Sequence, residues 1–182
     1  VDVELGIHQY WNQTMRDAER HNLTRITVRS AFAHSSNVGI SKLVEQHYNK
    51  DPEKYLSYLR ELGLDKKLNI EIPGEQQPYI KDTKDKRFTR YSLPWMSVGY
   101  EIQISPLQML TLYNSVANNG VMMKPYLVQQ IQEYGLPVQH FDPVVLNKKI
   151  CSDETLQAMK IILKEVVDSG TAKNLRNPNY SV

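Results

Sequence analysis

The chain has 182 residues, of which 41% are hydrophobic and 23% charged, values that fit one globular domain or large subdomain and exclude wholesale disorder. Its 22 basic and 20 acidic residues leave a formal net charge of +2, which gives no electrostatic case for a nucleic-acid partner. No run approaches the roughly 18–20 consecutive apolar residues that span a bilayer, and the start Val1-Asp2-Val3-Glu4-Leu5 lacks the basic opening of a signal peptide.

In chain order, Val3, Ile7, Tyr10, Trp11, Met15 and Ala18 recur at spacings that suggest a helical stripe over residues 1–20. Thr27 is placed to cap a short helix through Val28, Ala31 and Phe32. The polar break Ser35-Ser36-Asn37 interrupts it, and a second helix carries Val38, Ile40, Leu43, Val44 and Tyr48. Asp51-Pro52-Glu53 opens a third, with a capping side chain, a proline where its missing N–H costs nothing, and an acid favoured by the helix dipole. Its buried face is Tyr55, Leu56, Leu59 and Leu62, and Gly63 ends it. Residues 64–95, with Pro73-Gly74, Pro78, Pro94 and a run of alternating charge from Lys81 to Arg90, read as a long excursion with little regular structure.

Ser105-Pro106-Leu107-Gln108 predicts a capping box with proline at the first helical position, and Asn119-Gly120 closes that helix. From Tyr126 to Leu146 the alternation of β-branched and polar residues around Tyr134-Gly135-Leu136-Pro137 predicts a β-hairpin. Ser152-Asp153-Glu154 opens a last helix with Leu156, Met159, Ile162, Leu163, Val166 and Val167 on one face, ending near Gly170.

Several chemistries are excluded. His8, His21, His34 and His47 are spaced by thirteen, which puts no two on one helix face, and with the single Cys151 and no His-x-x-x-His no metal site is expected. There is no Gly-x-Gly-x-x-Gly or phosphate loop, so no nucleotide cofactor is expected. His34 and Ser35 are neighbours whose side chains point apart, which argues against a base and nucleophile pair. Cys151 reads as a packed small hydrophobe, and one cysteine excludes an internal disulfide.

The segment from Thr27 to Ile40 contains Ser35-Ser36-Asn37. By itself Ser-x-Asn is a common chance pattern, but an ordered series follows: Ile72-Pro73-Gly74-Glu75, then Ser97-Val98-Gly99-Tyr100, then Ile104-Ser105-Pro106-Leu107-Gln108, Tyr113, Asn118-Asn119-Gly120 and Pro125, and finally Ser169-Gly170-Thr171-Ala172. This series resembles the transpeptidase domain of class B penicillin-binding proteins, most specifically over residues 24–128. The resemblance implies an α+β, mostly helical chain: the α-helical subdomain of the penicillin-binding protein and serine β-lactamase-like fold, with a small β-hairpin and most of the central sheet missing. It divides the chain into an extended lead-in over 1–24, a helical core over 25–125, a hairpin over 126–150, and a helix and turn over 151–182. Under it the first twenty residues are extended, with Met15-Arg16-Asp17 in a turn or strand, against the helical stripe.

The mechanism that the resemblance implies needs a Ser-x-x-Lys for the acylated serine and its base, the Ser-x-Asn, and a Lys-Thr-Gly strand. No serine here has lysine three residues later, and neither Lys-Thr-Gly nor Lys-Ser-Gly occurs. The expectation is an internal piece of a peptidoglycan D,D-transpeptidase, inactive alone, in which Ser35 relays a proton and Asn37 orients the reacting groups. Ser36, Tyr100 and Glu101 are candidates for the substrate cleft, and Glu101 stands where many relatives have glycine. Peptidoglycan stem peptides and β-lactams are the implied ligands, with cell-division or elongation proteins as partners, and self-association is expected if such a piece exposes apolar surface. The parent is expected at the periplasmic face of the inner membrane, held by an N-terminal helix outside this chain. The alternative is a non-catalytic transpeptidase-fold module that binds peptidoglycan or cell-division proteins.

Overall fold

The computed structural model describes residues 1–19 and 22–179; His21 lies outside the described residues. Six α-helices and eight short strands are assigned, the third and fourth strands being β3 (Tyr79–Ile80) and β4 (Ile102–Gln103), and the strands form four two-stranded sheets among the described residues. The chain forms two compact units, each discontinuous in sequence: one of Val1–Leu56, Lys81–Ile102 and Gln157–Val182, the other of Ser57–Ile80 and Gln103–Leu156.

The first unit opens on an antiparallel hairpin, β1 (Ile7–Tyr10) and β2 (Gln13–Arg16), with His8 opposite Met15 and Tyr10 opposite Gln13. The helical stripe suggested by spacing is therefore wrong. Alternation along the strands puts Ile7 on the face opposite Tyr10 and Met15: Tyr10 and Met15 are buried and Ile7 is exposed, as is Trp11 in the turn between the strands. Tyr10 and Met15 pack with Val38, and Tyr91, Trp95 and Val98 close over them.

Helix α1 (Val28–Ala33) is capped by the Thr27 side chain, which accepts from Ser30 N. Helix α2 (Asn37–Tyr48) follows almost at once, and the two cross tightly at Gly39, where a Cβ would lie 3.0 Å from that of Ala31. Helix α3 (Pro52–Glu61) ends at Gly63, whose φ is +71°, and α6 (Asp153–Asp168) runs toward Gly170. A helix the sequence did not announce, α4 (Ser92–Met96), sits in the expected irregular stretch with Leu93, Pro94 and Met96 buried. It is only five residues long, and its proline lies in the first turn, where no intrahelical N–H is lost.

In the second unit, α5 (Pro106–Ala117) has the predicted capping box. The Gln108 side chain serves twice: its oxygen accepts from Ser105 N at 2.8 Å and its nitrogen donates to the Lys66 carbonyl at 2.9 Å. Glu75, from the Pro-Gly-Glu turn, accepts from Leu68 N at 2.6 Å and Asn69 N at 2.8 Å. Both residues therefore act as braces on the 66–69 loop. Strands β6 (Gln130–Glu133) and β7 (Leu136–His140) form the predicted hairpin around Tyr134-Gly135, both with positive φ, as a tight two-residue turn requires. Strand β8 (Val145–Asn147) pairs with β5 (Met122–Met123) instead.

Burial pushes the phenols of Tyr10 and Tyr55 up to about 12; Tyr10 also donates to Ser41 Oγ at 3.1 Å. Because the folded values lie above the unfolded one near 10, the stability these groups contribute is fully present below pH ~10 and is lost as pH rises toward ~12. Ultraviolet titration of the 11 tyrosines is expected to show two ionising about two units late, coincident with alkaline unfolding; substitution of Tyr10 and Tyr55 by Phe should remove that late phase.

Candidate functional site

The stretch Ser35-Ser36-Asn37 is where one helix ends and the next begins, and each residue satisfies a different backbone demand. Ser35 N donates to the Phe32 carbonyl at 3.0 Å and Ser36 N to the Ala31 carbonyl at 2.8 Å. That bond pair is a Schellman motif, whose left-handed position is usually glycine. Here it is Ser35, with φ +53° and an exposed side chain. An L-residue in that conformation costs about 1–2 kcal/mol, so a hydroxyl is held where the backbone alone would favour none.

Ser36 is buried at 3% exposure. Its Oγ caps α2 by accepting from Gly39 N at 3.0 Å and donates to Asp17 Oδ2 at 2.9 Å. The other Asp17 oxygen accepts from Val38 N at 2.8 Å. Asn37, the first residue of α2, donates its side-chain N–H to the Arg16 carbonyl at 2.9 Å; since a carbonyl only accepts, the amide nitrogen must lie on that side.

The third wall comes from the end of α6. Thr171 N donates to the Ala33 carbonyl at 3.1 Å, and a Cβ on Gly170 would fall 2.1 Å from the same oxygen, so only glycine admits this approach. An Arg29–Glu165 ion pair holds α1 against α6 nearby. Between these elements lies a cleft of about 350 Å³, lined by Ser30, His34, Ser35 and Ser36 on one side and by Ser169, Gly170 and Thr171 on another, with Asp17 and Lys173 also lining it. His34 Nδ1 turns back to the Ser30 carbonyl at 3.1 Å and forms no dyad with Ser35.

The chain matches the family described as the penicillin-binding protein transpeptidase domain over residues 3–182. It belongs to that family. Among curated relatives it is 30% identical to penicillin-binding protein PbpB of Mycolicibacterium smegmatis over 158 residues, covering 85% of this chain and 23% of the relative. It is 27% identical to PbpB of Mycobacterium tuberculosis, covering 97% of this chain and 26% of the relative. The chain thus spans about a quarter of the length of these relatives. Among solved structures, the D,D-transpeptidase domain of a peptidoglycan glycosyltransferase from Eggerthella lenta superposes with a TM-score of 0.81 at 22% identity, over 98% of this chain and 45% of that one. Penicillin-binding protein 3 of M. tuberculosis, complexed with aztreonam, gives 0.73 at 25% identity over 96% of this chain and 36% of that one. The family is the class B penicillin-binding proteins that the motif order resembled.

Within this transpeptidase-domain chain, Ser35 and Ser36 line the cleft, while Asn37, Tyr100 and Glu101 are not among its lining residues. Tyr100 is 63% exposed at the end of the α4 segment, its N–H bonded to the Trp95 carbonyl at 3.1 Å. Glu101 has φ +61°, a left-handed conformation that favours glycine. Its carboxylate is turned onto Lys81, with Oε1 at 2.5 Å from Nζ and both side chains largely covered. Sequence reasoning missed Asp17 and the approach of Gly170-Thr171 to Ala33. In the sequence Asp17 stands out only as part of a turn or strand, and nothing in its neighbourhood signals that its two oxygens reach Val38 N and the Ser36 hydroxyl. No group of three His, Cys, Asp or Glu placed to hold a metal ion occurs among the described residues.

Two outcomes are expected from these left-handed residues, read by chemical unfolding. Ser35→Gly should stabilise the chain by about 0.5–1 kcal/mol, the relief of the L-residue penalty less the entropy that glycine loses on folding. Glu101→Gly should be less destabilising than Glu101→Ala by about 1 kcal/mol. Both lose the Lys81 pair, but only alanine keeps the left-handed cost. The reverse order would show that the backbone there relaxes.

Proposed function

We propose that this chain is part of a peptidoglycan D,D-transpeptidase that cross-links stem peptides through a serine acyl-enzyme and is acylated by β-lactams, and that Ser35 lies on one wall of its active cleft with Asn37 acting from just behind it. The observation that carries the proposal is the exposed Ser35 hydroxyl, held at a glycine position on the rim of a cleft. Backbone strain of this kind is characteristic of functional sites. Relatives named as D,D-transpeptidases and a neighbour solved with aztreonam support the same substrate class.

The chain contributes positioning and proton transfer. Ser35 Oγ passes a proton between the lysine of a Ser-x-x-Lys and the departing amine. Asn37 has its amide nitrogen engaged by Arg16, so its oxygen is the atom left to face an ammonium or the substrate N–H. Ser36 acts by holding the loop. Tyr100 and Glu101 belong to the rim, since neither lines the cleft and Glu101 gives one carboxylate oxygen to Lys81. The nucleophile and its lysine come from residues outside these 182, together with most of the central sheet, so this chain alone is inactive. No helix among the described residues is long and apolar enough to cross a membrane. Attachment to the periplasmic face of the inner membrane, and contacts with cell-division or elongation proteins, fall to the rest of the parent.

Fluorescent penicillin is the test. A domain extended at both ends should take up one label and this chain none. In the extended domain Ser35→Ala should slow acylation by roughly 10²–10⁴-fold. Labelling of this chain would place the nucleophile inside it and overturn the assignment, and an extended domain that never labels would favour a binding module.

A further inference from the structure

We infer that Asp17 is a positioning residue for the Ser-x-Asn loop: with the adjacent Arg16 carbonyl it forms a splint that locks Ser36, Asn37 and Val38 and so fixes where Ser35 presents its hydroxyl. The inference rests on the functional reading above for its catalytic consequence, though not for its geometry.

The argument begins with what the loop lacks. A two-helix junction this short has the last carbonyls of α1 and the first N–H groups of α2 to satisfy. The loop's own backbone satisfies two of the α1 carbonyls, Phe32 and Ala31. At the head of α2, Ser36 Oγ takes Gly39 N, and Asp17 takes Val38 N. Asp17 is therefore the acceptor for an amide that Ser36 cannot also reach. Its second oxygen accepts the Ser36 hydroxyl proton at 2.9 Å, which orients the capping lone pair toward Gly39.

The splint reaches the loop from a different element. Arg16 ends β2, and Asp17 follows directly, with its N–H donating to the Gly6 carbonyl at 2.9 Å. The hairpin itself is anchored by the buried Tyr10 and Met15 against Val38. Residues 36–38 are thus held on three bonds by two consecutive residues of a rigid ribbon, and Asn37 is one of the three. Charge suits the role as well, because a carboxylate at a helix N-terminus is favoured by the dipole and its hydrogen bonds are charge-assisted. Ser35, by contrast, is strained and exposed, so its geometry depends on its neighbours being fixed. Without Asp17 the turn has a route to relax, and misplacement of a reacting group by about 1 Å can cost on the order of 100-fold in rate.

Two measurements test this. In the present chain, amide hydrogen exchange at Val38 and Gly39 should accelerate in Asp17→Ala relative to the parent, with exchange in α5 unchanged. In the domain extended at both ends, folded Asp17→Ala should be acylated by fluorescent penicillin about 10- to 100-fold more slowly, through the acylation step with initial binding unaltered. Asp17→Asn, which keeps one acceptor for Val38 N, should fall between. A merely structural role would lower the melting temperature and leave the rate per folded molecule alone, and that result overturns the inference. If Asp17→Ala does not fold, Ser36→Ala and Asp17→Asn carry the same comparison, and parental acylation rates in both overturn it. An extended parent domain that takes no label, while Val38 exchange still rises in Asp17→Ala, would sink the functional reading and leave the splint standing. Unchanged exchange would sink the splint itself.

Discussion

Everything at the serine corner follows from the need to satisfy backbone polar groups where two helices meet with almost no linker. The chain must close α1, reverse, and open α2 within three residues, and each of Ser35, Ser36 and Asn37 takes a different part. Ser35 supplies the left-handed turn, Ser36 serves both as the donor that completes the Schellman pair and as the cap of α2, and Asn37 starts the new helix while its side chain is bound outside. A carbonyl or amide left unpaired in such a place costs about 1–3 kcal/mol. The spacing of the motif is therefore set by hydrogen-bond accounting before any chemistry is asked of it. One position departs from that accounting, a serine where the backbone would favour glycine.

The same division between architecture and chemistry runs through the other motifs. Pro-Leu-Gln and Pro-Gly-Glu are as characteristic of the family resemblance as Ser-x-Asn, yet Gln108 and Glu75 spend their polar atoms on the 66–69 loop. They are signatures of fold. Glu101 combines both at one residue: a left-handed backbone that favours glycine and a largely covered ion pair of one carboxylate oxygen with Lys81.

Much of the helical framework was legible because it is written locally. Thr27, Asp51-Pro52, the Ser105 capping box, Ser152-Asp153-Glu154 and the Tyr134-Gly135 turn each announce themselves within four residues, and each begins or turns an element in the structure. The hairpin β1–β2 was hidden from periodicity because four-residue strands leave too few repeats to separate period two from period 3.6, and only the ordered motif series pointed to an extended start. Helix α4 escaped for a similar reason, being barely one turn with a proline inside it. At the candidate site, the segment Ser35-Ser36-Asn37 was legible through its motif, and of its residues Ser35 and Ser36 line the cleft. Asp17, Gly170 and Thr171 were not, since their partners lie far along the chain and no local pattern encodes a long-range hydrogen bond.

That long reach has a consequence for biosynthesis. The Ala33 carbonyl finds its Thr171 partner only after the intervening residues 34–170 have been made, and at about 5–20 residues per second a ribosome needs on the order of ten seconds to cover the interval. During that time α1 and α2 can form and the hairpin can grip α2, but the wall supplied by Gly170 does not yet exist. The nascent cleft is open on one side until residues 170 and 171 have been made, so the order in which its walls arrive is set by gene order as well as by their energies.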